Sequence, residues 1–268
     1  QETLPLIWNS LKTRHRDQPR FAVIGYGKLG GKELGYVADL DLVFLYDDEH
    51  PEAPENYAKL GRRLATWLST QTAAGILFET DFRLRPDGES GLLAISIDAF
   101  RDYQLQKAWG WEHQALTRAR FCAGDPGIGQ RFEAIRCEVL CRERNLEQLK
   151  QEVLAMRQKM LDAHASHSTT EFDLKQDPGG LIDVEFIVQC LVLGHAHRYP
   201  QLTGNLGNIA LLKISAELGL IPTGEAEGAR NAYREYRRQQ HLNRLNDHPD
   251  ARVERSLVQE HIDAVLRL

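Results

Sequence analysis

The spacing of hydrophobic and polar positions changes near residue 124 of the chain. Before that point, short apolar runs bounded by Gly, Pro and Asp alternate with helical patterns, and such runs are typical of buried strands. After it, apolar residues recur every three or four positions over long stretches, which predicts helices. The first region contains four predicted strands: Phe21–Ile24, Leu40–Tyr46, Ile76–Leu84 and Leu92–Ile97.

Helices are predicted between these strands. A glycine-rich turn and a short helix occupy residues 25–38, and a longer helix begins at Pro54. A further helix begins at the capping residue Asp98 and runs toward Arg120. The first region is therefore expected to mix strands and helices.

The second region contains almost no strand pattern. Asp125-Pro126 is a typical helix start, with the cap followed by proline at the first helical position. Beyond it, only residues 171–175 resemble a strand. We therefore predict an α+β protein in which a small mixed-sheet domain, residues 1–123, precedes an all-α helical bundle, residues 124–268.

Composition excludes several classes of function. The 268 residues carry a formal net charge of -5, so a strongly basic nucleic-acid binder is not expected. No apolar run approaches the ~20 residues that span a bilayer, so no membrane association is expected. The four cysteines form no CxxC pair, which favours a reducing, cytoplasmic location. No signal-peptide pattern is expected in the sequence. The chain begins with Gln rather than Met, so we expect a fragment of a longer protein.

Acidic side chains follow the glycine-rich turn. Asp39 and Asp41 are two residues apart at the start of the second predicted strand, so they project from the same face. The third predicted strand carries Asp81, Arg83 and Arg85 on one face in the same way. If the two strands are neighbours, Asp81 meets the other two carboxylates.

Such a cluster needs compensating charge. Two unit charges ~4 Å apart repel by about 4 kcal/mol at an effective dielectric near 20. Divalent cations with oxygen ligands are the natural compensation, so Asp39, Asp41 and Asp81 are candidate ligands of Mg²⁺ or Mn²⁺. Two such ions stabilise the attacking and leaving oxygens of a displacement at phosphorus. The upstream turn offers backbone N–H groups to a phosphate. An acidic pair or a pair of arginines alone is usually surface charge, but the acids together with the glycine turn favour a catalytic site.

The same glycines also match a dinucleotide-binding fingerprint. Gly25, Gly27 and Gly30 follow an apolar strand in the GxGxxG spacing. That fingerprint continues with a regular helix and an acidic residue at the end of the second strand. Here Gly31 and Gly35 interrupt the helix, and the acids come at the beginning of the strand. A dehydrogenase is therefore disfavoured, and the absence of Gly-Lys-Ser/Thr disfavours a P-loop.

Longer strings carry a resemblance to a known family. Gly27-Lys28 followed by the Asp-Leu-Asp of residues 39–41 resembles the signature of the polymerase-β-type nucleotidyltransferases, with Lys28 where Ser or Gly is commoner. The chain is also similar to the bifunctional glutamine synthetase adenylyltransferase/deadenylylase family in four segments: residues 25–36, 81–88, 111–120 and 173–186. The strings at 36–39 and 175–183 look more like the C-terminal, adenylylating copy.

The resemblance implies a reaction and partners. AMP would pass from ATP to a tyrosine hydroxyl of glutamine synthetase, with release of pyrophosphate, and residues 1–123 would be the nucleotidyltransferase domain. Control by a PII signalling protein is implied as well. We expect Asp39, Asp41 and Asp81 to be the catalytic and metal-binding residues, with Asp81 also a candidate proton acceptor. The expected nucleotide-binding residues are Gly27, Lys28, Gly30, Gly31, Arg83, Arg85 and Lys175.

Other functions stay open at this point. A deadenylylating copy would use phosphate to release ADP from adenylyl-tyrosine, and a catalytically silent copy would only bind ligands and the partner. An enzyme acting on RNA is disfavoured by the acidic charge balance. Lys175 also has two interpretations: it contacts the ATP phosphates, or it lies in a tight turn before a helix that begins near Leu181, with Asp183 and Glu185 as favourable charges in the first turn.

Overall fold

The computed structural model describes residues 2–36, 38–164, 168–204, 206–248 and 251–268. It divides the chain into two compact units, Gln1–Val139 and Leu140–Leu268. The helices of the first unit are α1 (Thr3–Asn9), α2 (Gly27–Gly30), α3 (Ala53–Ser69), α4 (Ile97–Gln106), α5 (Gly110–Leu116) and α6 (Pro126–Leu140). Its strands are β1 (Phe21–Gly25), β2 (Leu40–Tyr46), β3 (Thr80–Asp81), β4 (Ala94–Ser96) and β5 (Arg120–Gly124).

The second unit is mainly helical. Its helices are α7 (Leu146–His164), α8 (Leu181–His195), α9 (Asn208–Glu217), α10 (Thr223–Leu245) and α11 (Gln259–Leu266). It also contains a two-stranded antiparallel sheet of β6 (Glu171–Asp173) and β7 (Arg252–Glu254). The predicted α+β class and helical second region are confirmed, but the bundle is not all-α. In the described part of the chain, no helix is both long and apolar enough to cross a membrane.

The sheet of the first unit is mixed. β1 pairs antiparallel with both β2 and β5, whereas β2 pairs parallel with β3 and β4. Strands β3 and β4 occupy the same edge of β2, β3 beside residues 40–41 and β4 beside residues 44–46. In the parallel register Asp41 lies opposite Asp81. The predicted neighbourhood of the two acidic strands is therefore present in the structure.

Alternation along β2 assigns its residues to two faces. Leu40, Leu42, Phe44 and Tyr46 belong to one buried cluster, which includes Trp8 of α1 and side chains of α3. Because successive strand residues point to opposite faces, Asp41 projects from the other side of the sheet. The core is thus on one face of β2, and the candidate chemistry is on the other.

Several predicted elements have different bounds. Residues 76–84 were expected to form one strand and 92–97 another, but only 80–81 and 94–96 pair. Both short strands share one edge of β2, so neither has room for a long ladder. The helix expected to run from Asp98 toward Arg120 is divided: α4 ends at Gln106 and α5 covers Gly110–Leu116, while Arg120 begins β5 beside β1.

The boundary between the compact units lies at the C-terminal end of α6, whereas the predicted boundary lies just before its N-terminal end. Phe132 of α6 packs against Phe100 of α4, with ring centroids 5.7 Å apart. Arg136 of α6 is buried and donates hydrogen bonds to the carbonyls of Leu116 (3.1 Å) and Thr117 (2.6 Å). These contacts hold α6 to the first unit, so the structural division falls at residues 139–140 rather than 123–124. The division into functional domains stays a prediction.

A buried network stabilises the end of β2. The Asp48 carboxylate accepts hydrogen bonds from His15 Nε2 (2.8 Å), the Tyr57 hydroxyl (2.8 Å) and the His50 backbone N–H (3.1 Å). Arg16 pairs with the same carboxylate at 3.0 Å. Burial alone would raise the pKa of Asp48, but the hydrogen bonds, above all those of His15 and Tyr57, lower it to about 2. The ionised carboxylate is therefore stabilised by folding.

Replacing Asp48 by Asn should destabilise the first unit by about 2 kcal/mol at pH 7, because one pKa unit corresponds to about 1.36 kcal/mol. The folded pKa is below the ordinary 3.8, so this contribution is present above pH 4 and is lost as the pH falls toward 2. Urea unfolding at pH 7 and pH 3 measures it. Asp47→Asn is the control, because Asp47 makes more exposed pairs with Arg20 and Arg131. An equal loss in both variants at pH 7 would contradict the prediction.

Candidate active site

Three carboxylates converge at the start of β2. Asp39 precedes the strand, Asp41 lies within it, and Asp81 is opposite Asp41 on β3. One oxygen from each carboxylate lies within 4.8 Å of one from each of the others. Asp39 is exposed, whereas Asp41 and Asp81 are half-buried. The geometry expected for these three residues is present, and their metal-binding and catalytic roles stay predictions.

The electrostatics of the site are centred on Asp41. Burial, and then the negative charges of Asp39 and Asp81, raise the pKa of this carboxyl to about 6. The positive charges of Lys28 and Arg118 act in the opposite direction without cancelling the effect. A raised carboxyl pKa at a carboxylate cluster indicates a site that gains free energy when a cation is bound.

Arg83 compensates the negative charge of Asp81. Its guanidinium forms an ion pair with Asp81, and its backbone N–H donates to Asp81 Oδ1 at 2.8 Å. The hydrogen bond from the Arg83 side chain lowers the pKa of Asp81. Arg83 was expected on the same strand face as Asp81, but β3 ends at Asp81 and Arg83 lies in the following turn. The turn therefore places Arg83 beside Asp81, as the strand pattern was expected to do.

Gly27 begins α2 directly against Asp41. Its φ is +52°, a left-handed conformation that glycine adopts without a steric penalty. A Cβ atom at this position would lie 2.1 Å from Asp41 Oδ2. The Tyr26 backbone N–H donates to the Asp41 carbonyl at 2.9 Å, which fixes the turn to β2. The backbone of the turn can therefore approach the carboxylate only because residue 27 has no side chain.

The later glycines of the turn have a packing role. The N–H groups of Gly30 and Gly31 donate to the carbonyls of Tyr26 (2.8 Å) and Gly27 (3.0 Å), so they are used within the turn. The predicted contact of Gly30 and Gly31 with nucleotide stays a prediction. A Cβ on Gly30 would lie 1.8 Å from the Arg118 carbonyl oxygen. Gly30 is thus required for the close approach of α2 to the segment before β5.

Sequence reasoning missed two arginines that hold the turn. Arg118 is buried and pairs with Glu33 at 2.7 Å, just after α2. Arg120 Nε donates to the carbonyls of Leu29 (3.2 Å) and Gly30 (3.1 Å) at the end of α2. Their spacing of two residues was a strand signal, but this segment was interpreted as the end of a helix.

An open cleft of about 430 Å³ adjoins the acidic cluster, lined in part by Asp39, Asp81 and Arg83. Arg85 also lines it, but its guanidinium donates to the carbonyls of Phe82 (2.7 Å), Glu89 (2.8 Å) and Gly91 (3.1 Å). These bonds clamp the loop between β3 and β4. The predicted contact of Arg85 with nucleotide stays a prediction, and the structure gives Arg85 a role in holding the loop.

The Lys175 motif lies in the second unit, in a tight turn between β6 and α8. Asp173 Oδ1 accepts from the backbone N–H of Lys175 (2.8 Å) and of Gln176 (3.0 Å). Gly179, with φ +87°, completes the turn, and its N–H donates to Asp183 Oδ2 at 2.5 Å. The Lys175 side chain is exposed. The turn explains the glycines, whereas contact of Lys175 with ATP stays a prediction.

A small mixed sheet, a glycine turn against its second strand and three converging carboxylates define the class of the protein, which is that of the nucleotidyltransferases. The family model described as glutamate-ammonia ligase adenylyltransferase matches residues 4–135. The model described as GlnD PII-uridylyltransferase matches residues 147–266. The chain belongs to the glutamate-ammonia ligase adenylyltransferase family.

Curated relatives agree with this assignment. The chain is 67% identical over 243 residues, 91% of its length, to the bifunctional glutamine synthetase adenylyltransferase/adenylyl-removing enzyme of Aromatoleum aromaticum. It is 61% identical over 247 residues, 92% of its length, to the enzyme of the same description from Nitrosomonas europaea. These matches cover 26% of each relative, so the chain spans about a quarter of their length.

Proposed function

We propose that this chain transfers AMP from ATP to a tyrosine hydroxyl of glutamine synthetase and releases pyrophosphate. The convergence of Asp39, Asp41 and Asp81 beside the Gly27 turn carries the proposal, because one oxygen of each carboxylate lies within 4.8 Å of the others. The substrate is inferred from the relatives, whose description names glutamine synthetase as the protein they modify.

The three carboxylates fit a divalent cation site. Their oxygens are hard ligands of the kind that Mg²⁺ and Mn²⁺ prefer. The raised pKa of Asp41 reflects repulsion and burial that a bound cation would relieve. When bound, the metal would supply neutralisation of phosphate charge and a lower pKa for the incoming hydroxyl. We assign Mg²⁺ or Mn²⁺ to Asp39, Asp41 and Asp81.

The chain's own residues position the reactants. The new bond forms between the tyrosine oxygen and the α-phosphorus of ATP, and the bond from that phosphorus to the pyrophosphate oxygen breaks. We assign Asp81 as the acceptor of the hydroxyl proton; because Arg83 pairs with this carboxylate and lowers its pKa, the proton then passes to solvent. Lys28 supplies positive charge beside Asp41 and the turn. Positioning and charge neutralisation provide most of the rate enhancement in reactions of this type.

The nucleotide contacts are part of the same proposal. Gly27 lets the turn approach the triphosphate, while Gly30 and Gly31 shape it. Arg83 lines the cleft and stabilises developing negative charge. Lys175 is a nucleotide contact on the family resemblance. We further propose regulation by a PII signalling protein and a cytoplasmic location, both on the family resemblance.

The decisive experiment separates the directions of the reaction. The chain is incubated with Mg²⁺, α-labelled ATP and unmodified glutamine synthetase, and label is mapped by peptide mass spectrometry. Label on a synthetase tyrosine is the expected result, and Asp39→Asn is the inactive control. Loss of label from pre-modified synthetase in the presence of phosphate would assign the deadenylylating reaction instead. If neither reaction occurs in a chain that still binds ATP, the chain has a regulatory role.

Replacing Lys175 by Ala should raise the KM for ATP about tenfold, because a lost charge-assisted hydrogen bond to phosphate costs about 1.5–3 kcal/mol. Initial rates at varied ATP concentration measure the change. Lys213→Ala is the matched control, because Lys213 is an exposed lysine of the same unit that pairs with Glu217. Unchanged kinetics in Lys175→Ala would leave the motif a structural turn.

A further inference from the structure

The second unit contains an open cavity of about 670 Å³ that the proposed reaction does not use. Helices α7, α8 and α11 line it, together with the segment that follows α9. Most of its wall is apolar, and Leu154 on α7 is 67% exposed. Its volume lies in the range of pockets that bind small molecules, which is about 300–1,000 Å³.

Helix α8 explains why this wall exists. The helix is apolar on nearly all sides, a pattern that normally marks a helix covered all round. Val188 and Val192 lie on its buried side. Phe186, Ile187 and Leu191 lie on the other side, where they are only half-buried and line the cavity. The second apolar face of α8 therefore stays open to the cavity in the described part of the chain.

A buried cation lies at one end of the cavity. Arg157 on α7 lines it and is only 6% exposed. Its Nε pairs with Asp183, and its Nη2 donates to the Gln176 carbonyl at 2.8 Å. Its Nη1 is buried and finds no hydrogen-bond acceptor among the described residues. A buried donor without an acceptor is costly, so this nitrogen is a fixed donor that a ligand oxygen can satisfy.

A lysine and a histidine lie at the opposite end of the cavity. Helices α7 and α8 are antiparallel, because Arg157 meets Asp183 while Gly194 lies against Leu146. Lys150 and His195 therefore line the far end. Burial lowers the pKa of His195, and so do the neighbouring charges of His197, Arg198 and Lys150. Lys150 also pairs with Glu147 at 3.2 Å, at an exposed position.

The acidic charge of the cavity is already balanced. Among the described residues that line it, Asp183 is the one carboxylate. That carboxylate pairs with Arg157 and accepts the Gly179 N–H at 2.5 Å. The remaining charged side chain of the lining is Lys150, because the lowered pKa of His195 favours the neutral imidazole, so the cavity favours a negatively charged ligand over a positive one.

We propose that this cavity binds an amphipathic carboxylate: an unbranched apolar chain lies against Leu154, Phe186 and Leu191, and the carboxylate accepts a hydrogen bond from Arg157 Nη1. The fixed guanidinium and the carboxylate are matched in charge and geometry. The site is separate from the acidic cluster of the first unit. The result of the binding test does not bear on the proposed transfer reaction, because the test needs neither ATP nor glutamine synthetase.

The test uses three probes of equal chain length with the 268-residue chain: octanoate, 1-octanol and octylamine. Calorimetry gives the affinities. Alkylation of Cys190, which lines the cavity, reports occupancy, with Cys122 of the first unit as the internal control. Octanoate should bind about tenfold or more tightly than octanol and slow alkylation of Cys190 only. Octylamine should bind most weakly.

A pair of variants tests the location. Leu154→Glu should weaken octanoate at least about tenfold, whereas the neutral control Leu154→Gln should have a much smaller effect. Position 154 is exposed, so both variants should keep the wild-type circular dichroism spectrum. Equal binding of octanoate and octanol, or no protection of Cys190 at millimolar octanoate, would overturn the proposal. A dimer in light scattering that Leu154→Glu dissociates would assign the cavity to a second copy of the chain instead.

Discussion

Replacing Asp41 by Asn should reduce AMP transfer at least about 1000-fold and should make the metal-free protein more stable at neutral pH. The loss of activity follows because the carboxylate is central to the proposed cation site, and such a site contributes several kcal/mol to the transition state. The gain in stability follows because Asp41 is half-buried beside two other carboxylates, which raise its pKa in addition to burial. The amide removes the charge and keeps the shape.

The pH dependence gives the sign of the stability effect. The folded pKa is about 6, above the ordinary 3.8, so the unfolded chain ionises first as the pH rises. The wild type therefore loses stability between pH 4 and pH 6, by at most about 3 kcal/mol and by about 1–2 kcal/mol after allowance for partial exposure. The Asn variant should match the wild type at pH 4 and exceed it at pH 7 in EDTA.

Tryptophan fluorescence during urea unfolding measures this difference in the first unit, because all four tryptophans lie there: Trp8, Trp67, Trp109 and Trp111. Asp39→Asn is the matched control. Asp39 is exposed, so its variant should lose transfer to a similar extent with little gain in stability. A variant of Asp41 that kept near-wild-type turnover, or that was less stable than wild type at pH 7, would contradict the assignment.

Replacing Gly27 by Ala should reduce transfer about 100-fold or more. The added Cβ would lie 2.1 Å from Asp41 Oδ2, so either the carboxylate or the turn must move. A displacement of about 1 Å at reacting groups is sufficient for a loss of this size. The left-handed φ of +52° adds a conformational cost of about 1–2 kcal/mol to the folded state.

Gly219→Ala separates the two effects. Gly219 also has a positive φ, +70°, but nothing lies within 4 Å of the position of its Cβ. This variant should show a similar loss of stability with unchanged transfer. Circular dichroism during urea unfolding measures the stability, because Gly219 lies in the second unit, which contains no tryptophan. Full activity in Gly27→Ala would mean that the turn does not approach the acidic cluster in solution.

Local patterns were sufficient for the parts of the site that lie close together in sequence. The apolar run of β2 and the two acids at its beginning predicted both the strand and the shared direction of Asp39 and Asp41. The glycine turn before β2 was predicted as a turn with a short helix, and α2 is present at residues 27–30. In each case the signal and the structure involve neighbouring residues, so spacing alone defines the geometry.

Local patterns did not predict the parts of the fold that depend on pairing between distant segments of the chain. Strand β5 was not predicted because this segment was interpreted as the end of a helix, and pairing with β1 makes it extended. Residues 171–175 did resemble a strand, and β6 lies there, but its partner β7 was not predicted because it lies some eighty positions later in the chain. The roles of Arg118 against Gly30 and of Arg85 within its own loop also depend on where distant backbone segments meet.

The sequence by itself determined the fold class, the separation into a mixed-sheet region and a helical region, and the identity of the three acids. Periodicity and residue type are local properties, and they are unchanged by the rest of the fold. Only the tertiary structure decided that Asp81 lies opposite Asp41, because parallel pairing of β3 with β2 is a contact between segments forty residues apart. It also decided the charge state that the site favours, because burial and the mutual repulsion of the carboxylates exist only once the chain has folded.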